Sequence, residues 1–228
     1  MAQALLLRRV EYGESDLVVT LLTDTIGRVS ALARGARKSV KRFGGVLEPI
    51  HTLRVAYEDR SGAELVVLRE AKLAVARPFL LTSLERLQAA GQALNWVRKA
   101  APPRTPEPEV WQAMERLLDQ LADPDDSVSP RARLAAAGLA LLSAFGWGID
   151  FERCVSCGKA PSEGQAAAVD AARGGLVCRD CGGARRRLSG SERRLLQGAA
   201  AGGALNEESA AVALELVEQA LKTHGGIE

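Results

Sequence analysis

All four cysteines of the chain stand in two Cys-x-x-Cys pairs, Cys154-Val155-Ser156-Cys157 and Cys178-Arg179-Asp180-Cys181, with 20 residues between the pairs. That is the two-knuckle spacing of a structural zinc site. Each pair places two thiolates on one tight turn, and two such turns complete the tetrahedron that Zn²⁺ prefers. Gly158 follows the first pair and Gly182-Gly183 follow the second, and glycine tolerates the backbone geometry that aims amides at the sulfurs. The spacing predicts one structural Zn²⁺ per chain, held by Cys154, Cys157, Cys178 and Cys181. Two disulfides or a redox dithiol are the alternatives. A redox pair is expected to open a helix in a thioredoxin-like setting, and none is visible. Four protein thiolates leave no open coordination position, so the metal is not expected to be catalytic.

The first 80 residues read as strands. Ala4 to Leu7, Leu17 to Leu21, Arg28 to Leu32, His51 to Val55 and Glu64 to Leu68 are short aliphatic or β-branched runs. Turn residues punctuate them at Gly13 to Asp16, Asp24 to Gly27, Gly44-Gly45 and Asp59 to Gly62. About five strands with one longer basic connection at residues 35–47 suit a small Greek-key barrel of the OB type. A small open sheet is the alternative. Aromatic residues make up 4% of the chain, so the core must be aliphatic.

Near residue 82 the hydrophobic period changes to that of helices. Thr82-Ser83-Leu84-Glu85 has a capping-box arrangement, and Leu84, Leu87, Leu94 and Val97 fall on one helical face. Prolines between Pro102 and Pro108 end that helix. A second helix is expected over about Val110–Ala122, with Met114, Leu117, Leu118 and Leu121 inward. A third covers about Arg131–Phe145, where Ala and Gly imply close packing. After the cysteines, Asn206-Glu207-Glu208 starts a helix with Ala210, Leu214, Val217 and Leu221 as its stripe, and Gly225 stops it. The fold class is therefore α+β and multidomain. An OB-fold barrel at residues 1–81 precedes a helical bundle at 82–228, into which the zinc module at 151–187 is inserted.

Ala4 to Leu7 is too short for a signal-peptide core. Leu134 to Ile149 falls below the roughly 18–20 apolar residues that span a bilayer. With cysteines paired as metal ligands, a cytoplasmic protein without a membrane segment is expected. Enzyme motifs are missing as well. Gly35-Ala36-Arg37-Lys38-Ser39 has the look of a P-loop ending, but no Gly-x4-Gly-Lys-Ser/Thr exists. There is no Gly-x-Gly-x-x-Gly, and the Cys-x-x-Cys pairs lack the His-x-Glu of a zinc deaminase. His51 and His224 have no nucleophile or metal partner in sequence reach. No enzymatic activity is expected.

The net charge of +2 is unevenly distributed. It is +4 over residues 1–81, −2 over 82–150, +3 over 151–187 and −3 over 188–228. Arg28, Arg34, Arg37, Lys38, Lys41 and Arg42 lie within 15 residues with no acid among them. A solvated loop would explain such a run. On a barrel type that commonly binds nucleic acid, these six are candidate phosphate contacts. The barrel half offers few stacking platforms, namely Tyr12, Phe43, Tyr57 and Phe79. Cations without aromatics grip phosphates and leave base edges free. Such a binder is expected to be blind to sequence and to accept single and double strands. Arg185-Arg186-Arg187 is either a second contact or a solvated turn.

Val10-Glu11-Tyr12-Gly13-Glu14-Ser15-Asp16-Leu17-Val18-Val19 resembles the opening of the RecO family of bacterial recombination mediators. So do Leu22-Thr23-Asp24, Gly27-Arg28, Ala33-Arg34-Gly35-Ala36-Arg37-Lys38 and Leu47-Glu48-Pro49. The resemblance runs on through the helical half to the cysteine pairs. It implies an OB-fold, a helical domain and a zinc site. It also implies binding of single- and double-stranded DNA and annealing of complementary strands at the nucleoid. Its implied partners are RecR, single-stranded-DNA-binding protein and, indirectly, RecA, which the mediator helps load onto coated strands. The competing reading is a zinc-ribbon adaptor that binds protein, with the barrel as a docking module. A gel shift on plain oligonucleotides separates the two.

Overall fold

The structure, a computed structural model, describes residues 1–59, 64–162 and 164–226. The chain divides into two compact units, Met1–Ala122 and Asp123–Glu228. In the first unit, β1 (Ala2–Tyr12), β2 (Asp16–Thr23), β3 (Gly27–Ala33), β4 (Thr52–Glu58) and β5 (Val66–Val75) close in the order β1-β2-β3-β5-β4. All pairings are antiparallel except β3 with β5. This Greek-key closure is the OB-fold, and it decides against the open sheet. Alternation along β2 and β3 sends Val19, Leu21, Val29 and Ala31 inward, where they meet Leu6, Leu53, Val55 and Leu68. A bulge between Leu6 and Arg8 bends β1. Its first half can therefore pair with β4 while its second half follows β2 alone. His51 precedes β4 rather than lying in it, and the expected turn at 60–62 falls outside the described residues.

Two helices complete this unit, α1 (Leu84–Ala100) and α2 (Pro108–Ala122). The expected capping box on Thr82 does not form. Pro78–Thr82 is a 3-10 turn in which Thr82 Oγ1 donates to the Phe79 carbonyl, so Ser83 caps α1 instead, accepting from the Arg86 amide at 3.4 Å. Leu84, in the first turn ahead of the packed length, is 70% exposed rather than inward. Met114, Leu117, Leu118 and Leu121 of α2 are buried as their spacing requires.

Arg77 ties β4 to α2. Its guanidinium, 2% exposed, bonds Asp119 at 2.7 and 2.9 Å, Thr52 Oγ1 at 2.8 Å and the Ile50 carbonyl at 3.2 Å, with Glu115 at 3.3 Å. A buried guanidinium needs this many acceptors to offset its lost hydration. The Arg77 amide donates to His51 Nδ1 at 3.0 Å. Burial, and then the Arg77 charge, hold the His51 pKa below its ordinary value, which keeps that nitrogen an acceptor.

The connection from α1 to α2 covers the start of β3. The Arg104 amide donates to the Arg28 carbonyl at 2.8 Å, and Arg28 Nε donates to the Ala101 carbonyl at 2.6 Å. Gly27 makes that approach possible. Its φ is +68°, and a Cβ there would sit 1.7 Å from the Thr105 carbonyl oxygen. Gly27→Ala is expected to cost about 2–4 kcal/mol, combining the left-handed penalty with a clash against fixed backbone. Denaturant unfolding checks this, and a change under about 0.5 kcal/mol, the surface-substitution range, would show that the connection moves aside freely.

The second unit holds α3 (Pro130–Ala144), α4 (Gly190–Ala200) and α5 (Glu207–Gly225). Between α3 and α4 a small sheet is inserted: β6 (Asp150–Cys154), β7 (Ala167–Asp170), β8 (Gly175–Leu176) and β9 (Arg186–Leu188), in the order β6-β8-β7-β9. Ser129 caps α3 ahead of Pro130, and α3 packs on α5 and α4 through Ala132, Ala135, Gly138 and the leucines beside them. Helix α4 is additional to the helices expected from periodicity. Its start was written in the sequence, because Ser189 and Glu192 form a full capping box. Asn206 caps α5 as expected, whereas the left-handed stop is Gly226, φ +59°, rather than Gly225. Among the described residues, no helix is long and apolar enough to cross a membrane.

Candidate nucleic-acid interface and metal centre

The long connection after β3 is a chain of turns clamped to the barrel at several points. Phe43, 1% exposed, and Leu47 insert into the barrel core. The Arg42 carbonyl accepts from the Ala71 amide of β5 at 3.0 Å. At the other side, the Gly35 amide donates to Asp16 Oδ1 at 2.7 Å and the Arg37 amide to the Ser15 carbonyl at 3.0 Å. The connection is therefore held in place, with its polar side chains outward.

The six basic residues singled out from the sequence divide into three kinds. Arg34, Lys38 and Lys41 are exposed, and among the described residues no ion pair or hydrogen bond engages their side-chain cations. Arg37 and Arg42 are exposed but engaged. Arg37 pairs with Glu11 at 3.2 Å. Arg42 donates to the Arg34 carbonyl at 2.7 Å, and its guanidinium lies 5.2 Å from the Phe43 ring centroid. Arg28 stands apart from the cluster, on β3, with its side chain donating to Ala101. The structure adds Arg9, which the charge run left out because it lies far away in sequence. Arg9 pairs with Glu48 and donates to the Leu47 carbonyl at 3.1 Å. Together with Arg37, Lys38 and Glu11 it lines an open cleft of about 450 Å³ between the β1–β2 hairpin and the connection. Alternation from Ala4 and Leu6 alone would not find it, because Arg9 and Glu11 lie across from core residues Val19 and Leu17 only after the bulge shifts the phase of β1. Arg186 is paired with Glu215 at 2.9 Å; Arg185 and Arg187 are exposed.

The four cysteines converge in the second unit. Cys154 ends β6 and is buried, whereas Cys157 is exposed and Cys178 and Cys181 are half-buried. All four Sγ atoms lie within 4.8 Å of one another, and Cys157 and Cys178 are 3.7 Å apart. A tetrahedral ion with metal–sulfur bonds of about 2.3 Å has edges of about 3.8 Å, so the donors fit one. That spacing is well beyond the roughly 2.05 Å of a disulfide. Gly158 (φ +73°), Gly182 (φ +98°) and Gly183 (φ +64°) turn each knuckle in the left-handed region. The Gly158 amide closes the first knuckle onto the Cys154 carbonyl at 2.8 Å, and the Gly183 amide closes the second onto the Cys178 carbonyl at 3.0 Å. Lys159 and Asp180 bridge the two knuckles at 3.3 Å. Amides of Cys178 and Ser156 lower the Cys154 thiol to about 6, and a thiol hydrogen bond with Cys178 pushes Cys181 up to about 12. One sulfur is thus readied as a thiolate. Hydrogen bonds from neighbouring thiols oppose ionising Cys157 and Cys181 until a cation neutralises the cluster.

Known proteins match both halves of the chain in sequence. The model of the "Recombination protein O N terminal" family matches residues 1–77, and that of "Recombination protein O C terminal" matches residues 81–228. The DNA repair protein RecO of Anaeromyxobacter sp. (strain K) is 40% identical over 176 residues, 77% of this chain and 67% of that protein. RecO of Myxococcus xanthus is 36% identical over 179 residues, 78% and 71% of the two chains. RecO of Geobacter sulfurreducens is 34% identical over 195 residues, 85% and 77%. With the barrel and the helical, cysteine-bearing half both matched, the chain belongs to the RecO family of DNA repair proteins.

Proposed function

We propose that this protein binds single- and double-stranded DNA without regard to sequence and anneals complementary strands. The observation that carries the reading is the fixed connection presenting Arg34, Lys38 and Lys41 with no acidic partner among the described residues, beside a cleft holding Arg9 and Arg37. Phosphates are the natural counter-ions for such a surface, and contacts to phosphate position a strand while leaving its base edges free to pair. Family membership supports the wider role, in which the protein acts with RecR to load RecA onto strands coated by single-stranded-DNA-binding protein. That role requires no catalytic centre and belongs in the cytoplasm, at the nucleoid.

The metal is Zn²⁺, and it is structural. Four thiolates are the donor set zinc favours, and they saturate a tetrahedron, leaving no position for water or substrate. Annealing of unrelated complementary oligonucleotide pairs, bare and coated, tests the main reading. Acceleration of every pair regardless of sequence is the expected result. Failure to bind any oligonucleotide would favour the protein-binding adaptor.

A further inference from the structure

Charge alone leaves a binder indifferent to whether a strand is single or paired. One face of the barrel offers more than charge. Beyond the bulge in β1, Arg9 and Glu11 point to the cleft side with Leu17, so Arg8, Val10 and Tyr12 share the outer face. Register extends that face across the sheet. Arg8 lies beside Thr20 and then Ser30, and Val10 lies beside Val18 and then Leu32. Tyr12 lies beside Asp16, next to the row that leads to Arg34. The middle of the face is aliphatic and partly open, with Val10 43% exposed, and cations flank it at Arg8 and Arg34. The Asp16 carboxylate accepts from the Gly35 amide at 2.7 Å.

The aromatic residues of the barrel half differ sharply in availability. Phe43 is inside the core. Phe79 lies under the Arg86 guanidinium at 4.8 Å. Tyr57 packs on the core with its hydroxyl 3.5 Å from Thr25. Tyr12 is 60% exposed at the end of β1, and among the described residues no hydrogen bond or ring contact occupies it. Its neighbouring turn is nonetheless fixed, because Ser15 and Asp16 are the residues clamped to the basic connection. A rigidly mounted free ring beside unpaired cations is what base stacking on a single strand requires.

We propose that Tyr12 is a base-stacking platform, and that the outer face of β1, β2 and β3 holds the bases of single-stranded DNA whose phosphates meet Arg8, Arg34 and the connection. The proposal rests on the DNA-binding reading and adds a preference for single strands to it. In a duplex the bases stack on one another, so Tyr12 contributes to single strands alone.

The test compares wild type, Tyr12→Ala and Tyr12→Phe by fluorescence anisotropy on oligothymidine, on an abasic strand of equal length and on a duplex. Tyr12→Ala is expected to weaken oligothymidine binding about 5-fold or more, the lower range of aromatic stacking on a base. Its affinity for the abasic strand and the duplex should stay within about 2-fold of wild type, since neither presents a free base to stack. Tyr12→Phe keeps the ring and should bind like wild type. Equal binding of oligothymidine by Tyr12→Ala and wild type would overturn the proposal, as would an equal loss on all three ligands. A wild-type protein that binds none of the three would instead sink the DNA-binding reading, and the platform with it.

Discussion

Replacing Cys154 with serine is expected to strip the metal from the protein and destabilise the Asp123–Glu228 unit by more than about 4 kcal/mol, the range seen when a structural metal is lost. Metal-binding free energies of about 10–16 kcal/mol in zinc-finger peptides set the scale. Cys154 is the most informative of the four ligands. It is the buried one, it ends β6, and its sulfur accepts from the Cys178 amide at 3.4 Å. Losing its thiolate therefore loosens the knuckle at the end of β6, where the Cys154 amide donates to the Lys159 carbonyl and the Val155 amide to the Leu176 carbonyl. Elemental analysis should find about one zinc per wild-type chain and almost none in the variant. Calorimetry should show the second unit melting earlier. Metal-free wild type with unchanged melting would dismiss the metal centre.

The second large effect concerns Arg34, Lys38 and Lys41 changed together to alanine. Each phosphate contact on a single strand contributes about −0.7 to the slope of log K against log salt, so the triple variant should flatten that slope by about 2. At 0.1 M salt the same arithmetic gives roughly a 100-fold loss of affinity. The loss should be similar for unrelated sequences, and annealing should fall with it. Stability should hold, since the connection is anchored by Phe43, Leu47 and its backbone bonds rather than by these three side chains. Arg37 and Arg42 are deliberately spared. Arg37 is paired with Glu11, and Arg42 staples the connection, so losses on changing them would mix binding with folding. An unchanged slope would move the phosphate contacts to Arg8, Arg9 or the Arg185–Arg187 turn.

Much of this was legible because local chemistry is short-ranged. Cys-x-x-Cys spacing specifies a knuckle by itself, and two knuckles imply a tetrahedron wherever the chain brings them. The alternation of β2 as far as Leu21, and of β3 throughout, set which side chains fill the barrel. The stripe of α2 set which face it buries. Even α4, hidden by its Gly and Ala content, announces its start in Ser189-x-x-Glu192.

The remainder depended on pairings between residues distant in sequence. Closure of the barrel rests on β3 lying parallel to β5, and strand periodicity carries no record of which strands become neighbours. Arg28 reads as one more cation of a basic run. The α1–α2 connection, more than 70 residues later, supplies the carbonyl that takes it out of the run. Arg9 and Glu11 joined the cleft because a bulge at the middle of β1 set the phase of everything beyond it, and bulges have no sequence signature here. The same phase put Tyr12 on the outer face. Sequence by itself thus determined the chemistry available, four thiolates and a cluster of cations on a β-rich unit. Tertiary structure decided which cations are free, because an ion pair or a hydrogen bond forms only between groups the fold has already brought within a few ångströms.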